Sequence, residues 1–350
     1  MAIPVTVNEA IVRIFYSLKR LSIEIKNNDI NSVKDFKKIM DQLDYRKDKI
    51  EDWVKSCGYQ LNDFELFVTR GALIKPLESG IYKVEEKLIE AIKKEVYAAH
   101  VSNVGMVIAY LWSQEHKIDA IFLNAPSTDE LSVLARYTGI KGIERRTAFH
   151  ALNQKQIALE YAQSIHKSVD DLKLIVVHLG GGISVGAHHH GRIVDVSNAL
   201  DGEGCMSPER SGGLSARNII QLYKELDYSD EKLFKLIAGK GGLVSHCGTN
   251  DVKRLLEQAR TDVNVKEVID AMIYQIVKEI GAMSTVLGQP IDAILITGGL
   301  AYSKEITDMI TQKVSWISKV LIFPGEDEIR ALALGAYRYL KHEEALKSIN

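Results

Sequence analysis

A chain of 350 residues exceeds what one ordinary hydrophobic core holds together and predicts two domains. With 46% hydrophobic and 26% charged residues, and 44 basic against 46 acidic side chains, it has a soluble globular composition that argues against nucleic acid or an anionic membrane surface as partner. Cys57, Cys205 and Cys247 stand apart with no Cys-x-x-Cys pair, which argues against a zinc ribbon or redox dithiol and reads as reduced thiols. Apolar runs are too short to cross a bilayer and no leader pattern opens the chain, so the expected location is cytoplasmic.

In chain order, an amphipathic pattern predicts a helix over 31–57, capped by Asn31 or Ser32, with Val33, Phe36, Ile39, Met40 and Leu43 on one face. Short apolar strands are expected at 64–69 and 118–123, and helices at 103–112, 129–137 and 150–162. Over 174–196 a strand runs into His178, three glycines follow at 180–182, and a second strand leaves at once. A long polar loop over 197–213 carries four glycines and a proline, a length that is usually functional in a compact enzyme. Helices at 214–225 and 230–238, a glycine loop at 239–242 and a long helix at 265–286 come next. A buried strand at 291–297 ends in Gly298-Gly299, a strand at 320–323 meets Pro324-Gly325, and a helix over 328–341 closes the pattern. Alternating strands and helices predict an α/β protein with sites at the carboxyl ends of strands, its domains packed around a cleft.

Gly180, Gly181 and Gly182 remove every Cβ from the turn, so backbone N–H groups can converge on a phosphate. The alternative is an ordinary glycine hairpin. It is not a Rossmann fingerprint, because a strand rather than a helix follows and the last position is Val185, and no Gly-Lys-Ser/Thr of a Walker loop occurs. Arg210, on the polar loop, could neutralise charge on a transferring phosphoryl group, against the commoner outcome of a surface pair with Glu203 or Glu209. His150, at a helix start, could reach a phosphate or act only as a cap. The run His188-His189-His190 invites a metal reading, but alternate strand directions and the following Gly191 favour an exposed hairpin turn.

Together these residues resemble the acetate and butyrate kinase family, and its butyrate kinase branch in particular. The matching segments are 149–155, 178–188, 198–204, 207–214, 239–244, 248–251, 297–303 and 324–328, and the resemblance spans about 31–341. It implies two domains of duplicated ribonuclease-H-like fold, the actin-like ATPase plan, placed here at 1–148 plus 329–350 (acyl side) and 149–328 (nucleotide side). It further implies reversible phosphoryl transfer between ATP and a short-chain fatty acid, giving ADP and an acyl phosphate, with Mg²⁺ and a homo-oligomer. By position, Gly180–Gly182 resemble the second phosphate loop, and Gly298, Gly299 and Ala301 the adenosine loop. Arg210, His150 and His178 resemble the groups that steady the phosphoryl in flight, with Asn124 beside the attacking carboxylate. Arg70, His100 and Asn103 fall on the acyl side, while Glu326 or Glu328, together with Asn8, resembles the Mg²⁺ ligands.

Three segments depart from that pattern, one of them Thr-Arg-Gly-Ala around Arg70, where the family carries Gly-Arg-Gly-Gly. The family's first phosphate loop, Asn-Pro-Gly-Ser-Thr-Ser-Thr-Lys, is replaced by Val7-Asn8-Glu9-Ala10-Ile11-Val12-Arg13-Ile14-Phe15, without glycine, hydroxyl or lysine, a stretch that could extend as a helix. Asn124 stands where the family carries aspartate, which keeps the shape but removes a charge. Two expectations therefore stand side by side: a working butyrate kinase, and a catalytically impaired relative that binds nucleotide.

Overall fold

A computed structural model describes residues 2–5, 13–17, 20–24, 36, 38–96 and 101–349. The strands, in chain order, are β1 (Ala2–Val5), β2 (Arg13–Ser17), β3 (Arg20–Glu24), β4 (Leu66–Thr69), β5 (Ile81–Lys83) and β6 (Ala120–Leu123). They continue with β7 (Lys173–Leu179), β8 (Ile183–His189), β9 (Arg192–Val196), β10 (Ala293–Gly298), β11 (Val320–Pro324) and β12 (Leu346–Lys347). The chain forms two compact units, residues 1–128 with 327–350, and residues 129–326.

In the first unit the sheet order is β1-β4-β6-β5-β12, with β1, β4 and β6 parallel and β5 antiparallel to β6. Among the described residues the β2–β3 hairpin is a separate two-stranded sheet. Arg13, Ile14 and Phe15 therefore lie on a strand and not on the helix that the altered loop suggested, whose residues 7–12 lie outside the described residues. Phe67 and Phe122 from the sheet, with Trp112 from helix Val101–His116, anchor the core against helix Leu43–Ser56.

The helix expected over 31–57 is shorter: a 3₁₀ turn at Ile39–Gln42 leads into Leu43–Ser56. Lys38 is extended (φ −120°, ψ 152°), so Phe36 falls outside the helix, and Asn31, Ser32 and Val33 lie outside the described residues.

In the second unit the order is β11-β10-β7-β8-β9: a meander of β7, β8 and β9, extended by parallel β10 and β11. The central strands are buried on both faces, as parallel sheets covered by helices must be. Ile175, Val177, Ile294 and Ile296 face the long helix Val263–Leu287 through Met272, Ile276 and Ile280. Leu174, Val176, Ala293 and Leu295 face helix Ala151–Ser164 through Ile157, Ala158 and Tyr161. Strand alternation then directs His178 and Thr297 toward that second helix, and register pairs His178 with Ser184 on the same side. This alternation is what builds the site described below.

Residues 129–148, expected with the first unit, belong to the second. Lys155 pairs with the buried Glu130 at 2.6 Å, and Glu130 also accepts the Ile193 N–H. Arg145 pairs with Asp195 and Glu203 and donates to the carbonyls of Ala135 and Val196. These long-range ties override the local pattern. Within 129–137 only Val133–Arg136 is helical, because Asp129 is drawn into a bidentate pair with Arg136 instead of opening a helix. No helix among the described residues is long and apolar enough to cross a membrane.

Candidate active site

The second unit gathers the glycine turn, two histidines and an arginine at the carboxyl end of β7. The turn at 180–182 is closed by Gly180 N–H donating to the Gly182 carbonyl at 3.0 Å. Each glycine leaves room for a functional side chain. A Cβ on Gly180 would stand 3.0 Å from His178 Nε2, and one on Gly181 would stand 3.1 Å from the Glu209 carboxyl carbon. One on Gly182 would overlap the Arg210 guanidinium. The Gly181 carbonyl accepts from Ser207 Oγ (2.7 Å) and Glu209 N–H (3.1 Å), which ties the polar loop to the turn.

Arg210 does not form the anticipated surface pair. Its Nη1 donates to the Ala199 carbonyl, Glu203 is taken by Arg145, and Glu209 accepts from Asn250 at 2.6 Å. Burial holds the guanidinium below its ordinary pKa, with Glu209 opposing. A desolvated arginine laid against a glycine turn is suited to an anion rather than to water.

His150 and His178 stack with ring centroids 3.7 Å apart and planes 10° from parallel. His150 occupies the N-cap position of helix Ala151–Ser164, yet its ring does not cap: Nδ1 lies 2.9 Å from Ser184 Oγ. His178 is 1% exposed, with Nδ1 2.8 Å from Asn153 Oδ1 and Nε2 3.1 Å from Glu326 Oε2. Asn153 and Gln154, three and four residues after His150, project on the same helix face. That spacing could have marked them in the sequence, but neutral amides carry no signal of their own.

The strand-end pair splits in role. Gly298 has φ +91°, and a Cβ there would come within 2.7 Å of the Leu179 backbone, whereas Gly299 faces open space. Gly298 is therefore needed for a backbone crossing. Gly299 alone leaves a surface a flat ring could approach. Ala301 is 3% exposed and belongs to the core.

The histidine run departs from the exposed turn expected of it. His190 and Gly191 form that turn with φ 51° and 68°, but His188 is 1% exposed inside the sheet, and burial with Lys155 nearby pushes its pKa down to about 3. Among the described residues no three His, Cys, Asp or Glu side chains converge as a metal cage.

Within the first unit, Arg70 and Glu328 form an ion pair at 2.8 Å. Asn103, 2% exposed, accepts the Leu73 N–H at 3.2 Å. Asn124 has φ 44°, a conformation asparagine tolerates better than most residues, and its Oδ1 accepts the Gly80 N–H at 3.0 Å. His100 and Asn8 lie outside the described residues.

The acetokinase family pattern matches residues 98–320. Over 337 residues, 96% of this chain and 95% of the relative, the chain is 40% identical to butyrate kinase 2 of Clostridium acetobutylicum. The chain belongs to the acetokinase family. Solved structures agree on the fold. Acetate kinase from Porphyromonas gingivalis superposes with a TM-score of 0.78 at 13% identity, covering 97% of this chain and 99% of that one. A propionate kinase from Francisella tularensis gives 0.71 at 17% identity, covering 94% and 89%.

Proposed function

We propose that this acetokinase-family chain is a butyrate kinase. It moves the γ-phosphoryl of ATP reversibly onto the carboxylate of butyrate or a branched short-chain acid, giving ADP and an acyl phosphate. The observation that carries the reading is the full-length 40% identity to a butyrate kinase, joined to a glycine turn lined by His178 and Arg210. No finding favours the impaired alternative.

An acceptor carboxylate is already a nucleophile, so such a site needs positioning and charge screening rather than a strong base. We assign Gly180–Gly182 to the phosphates, Gly299 to the adenosine, and Arg210 with the stacked His150 and His178 to the equatorial phosphoryl oxygens. Arg70, Asn103 and Asn124 are assigned to the acyl side. Magnesium fits without a protein cage, because it is held largely by nucleotide phosphates with one or two carboxylates. Glu326, half-exposed beside His178, is the carboxylate suited to that role, whereas Glu328 is engaged by Arg70. The ion would neutralise charge on the β- and γ-phosphates. A cytoplasmic homo-oligomer is the setting we propose.

The test is acyl-hydroxamate formation with Mg-ATP and butyrate, isobutyrate or acetate. Turnover on the order of 10 per second is expected, in the range of kinases generally. ATP binding by calorimetry with no acyl phosphate from any of the three acids would overturn the proposal.

A further inference from the structure

Two buried hydrogen-bond chains run into the stacked histidines, and each has a fixed direction because it is anchored on a group that can act in only one sense. The first begins at the Gly325 carbonyl, which can only accept. Thr297 Oγ1 lies 3.0 Å from it and must donate its proton there. Thr297 can then only accept from Asn153, whose amide nitrogen is 3.4 Å away, so the Asn153 oxygen is turned to His178 Nδ1 at 2.8 Å. His178 therefore carries a proton on Nδ1.

The second chain is anchored on the Ser184 carbonyl. Gln154 Nε2 lies 3.3 Å from that oxygen and 2.9 Å from Ser184 Oγ, so the amide NH₂ faces Ser184. The Gln154 oxygen then receives His188 Nε2–H at 3.0 Å. His188 stays neutral in this buried position, and its Nδ1 has no partner, as suits an unprotonated nitrogen in an apolar sheet. Ser184 Oγ accepts from Gln154, and among the described residues His150 Nδ1 at 2.9 Å is the one acceptor within reach of its own buried O–H, which therefore donates there. Gly186 makes room for this arrangement, since a Cβ there would overlap the Gln154 oxygen. Gln154, Ser184 and Thr297 are all fully buried, so water offers no alternative partners.

We infer that these chains set the hydrogen-bond roles of the two stacked rings, leaving His150 Nδ1 bare with its proton on Nε2 and committing a His178 Nδ1 proton to Asn153, making Gln154, Ser184, His188, Asn153 and Thr297 positioning residues of the phosphoryl site. His150 then presents a fixed N–H donor, and His178 turns Nε2 to the Glu326 carboxylate at 3.1 Å, an oxygen that can only accept. The catalytic meaning of this wiring rests on the kinase reading above; the tautomers themselves do not.

The experiment is a long-range ¹H–¹⁵N correlation spectrum of protein labelled with ¹⁵N-histidine, without nucleotide, at a pH of about 8 where ordinary histidines are neutral. His150→Gln and His178→Gln identify the two rings by removing one pattern each. The expected spectrum shows His150 with bare Nδ1 and protonated Nε2, and His178 with protonated Nδ1. Ser184→Ala should shift His150 toward the other tautomer and leave His178 unchanged, and Gly186→Ala should do the same by displacing Gln154. Ser184→Ala should also lower kcat about tenfold with KM for ATP nearly unchanged, the signature of lost orientation rather than lost binding. A proton on His150 Nδ1 in the wild type, or a His150 pattern indifferent to Ser184→Ala, would overturn the inference. The expected tautomers in a protein that makes no acyl phosphate would uphold the wiring and sink only the kinase assignment. Full turnover with the wrong tautomers would do the reverse.

Discussion

Gly182→Ala separates a turn that merely folds from one that sets an arginine. The added Cβ would meet three guanidinium atoms of Arg210, of which the most distant, Nη2, is 2.9 Å away. Ordinary contact lies near 3.5 Å, so the guanidinium must retreat by at least about 0.6 Å, and further at Nη1 and Cζ. Because the obstacle is the far end of a flexible side chain, the fold can absorb the change, and the thermal midpoint should move by no more than about 3 °C. Displacing a charge-screening group by that distance should lower kcat in the hydroxamate assay by about 10²-fold. In an Arg210→Ala background the same substitution should cost almost nothing more, because the two changes act on one contact. Wild-type turnover in Gly182→Ala, or equal losses with and without Arg210, would refute the argument that this glycine is kept for the arginine.

Three further outcomes follow from buried groups. Lys155→Met removes the cation beside the buried Glu130, and with the Ile193 N–H still donated the loss in urea unfolding should be about 3 kcal/mol; a loss under about 1 kcal/mol would show the pair to be incidental. His188 remains neutral in the folded state down to about pH 3, while in the unfolded chain it protonates below 6.5. The unfolded state thus binds the extra proton in that window, and stability falls as pH drops through it. The stability difference between wild type and His188→Leu should shift against the wild type by about 2 kcal/mol between pH 7 and pH 5, and equal pH slopes would contradict it. Cys205 is 6% exposed and its thiol is pushed up to about 12 by burial, so native protein should react with a disulfide reagent at no more than two of its three cysteines, and denatured protein at all three.

The parts of the fold that were legible in the sequence are those fixed by local rules. Alternation around His178 and the glycine triplet specified the β7–β8 hairpin, and the apolar spacing of Met272, Ile276 and Ile280 specified the long helix, observed at Val263–Leu287. What escaped was set by partners far along the chain. Asp129 and Glu130 read as the start of a helix, but their charges are spent on Arg136 and Lys155, and this assigns 129–148 to the second unit. The His188 run read as a turn because nothing local reveals that Gln154, 34 positions away, turns its oxygen to that ring. Arg210, Gly182 and the two histidines were readable as a set only through family likeness. Their mutual geometry depends on which face of each strand meets helix Ala151–Ser164.

That face also explains why the Nδ1 atoms of His150 and His178 are wired through a hydroxyl and an amide, while Glu326, at His178 Nε2, is half-exposed. A histidine fixed by a buried carboxylate gains basicity along with orientation, and its charge follows the partner's protonation. Beside a phosphate-binding turn an added buried anion would oppose the ligand it is meant to help bind. Asn153, Gln154, Ser184 and Thr297 supply direction without net charge, and their burial keeps that direction from being lost to water. Positive charge can then be concentrated in Arg210, where it meets the anion directly, while the rings contribute hydrogen-bond geometry. A site built for a carboxylate acceptor, which needs no proton removed, can use its histidines in this way.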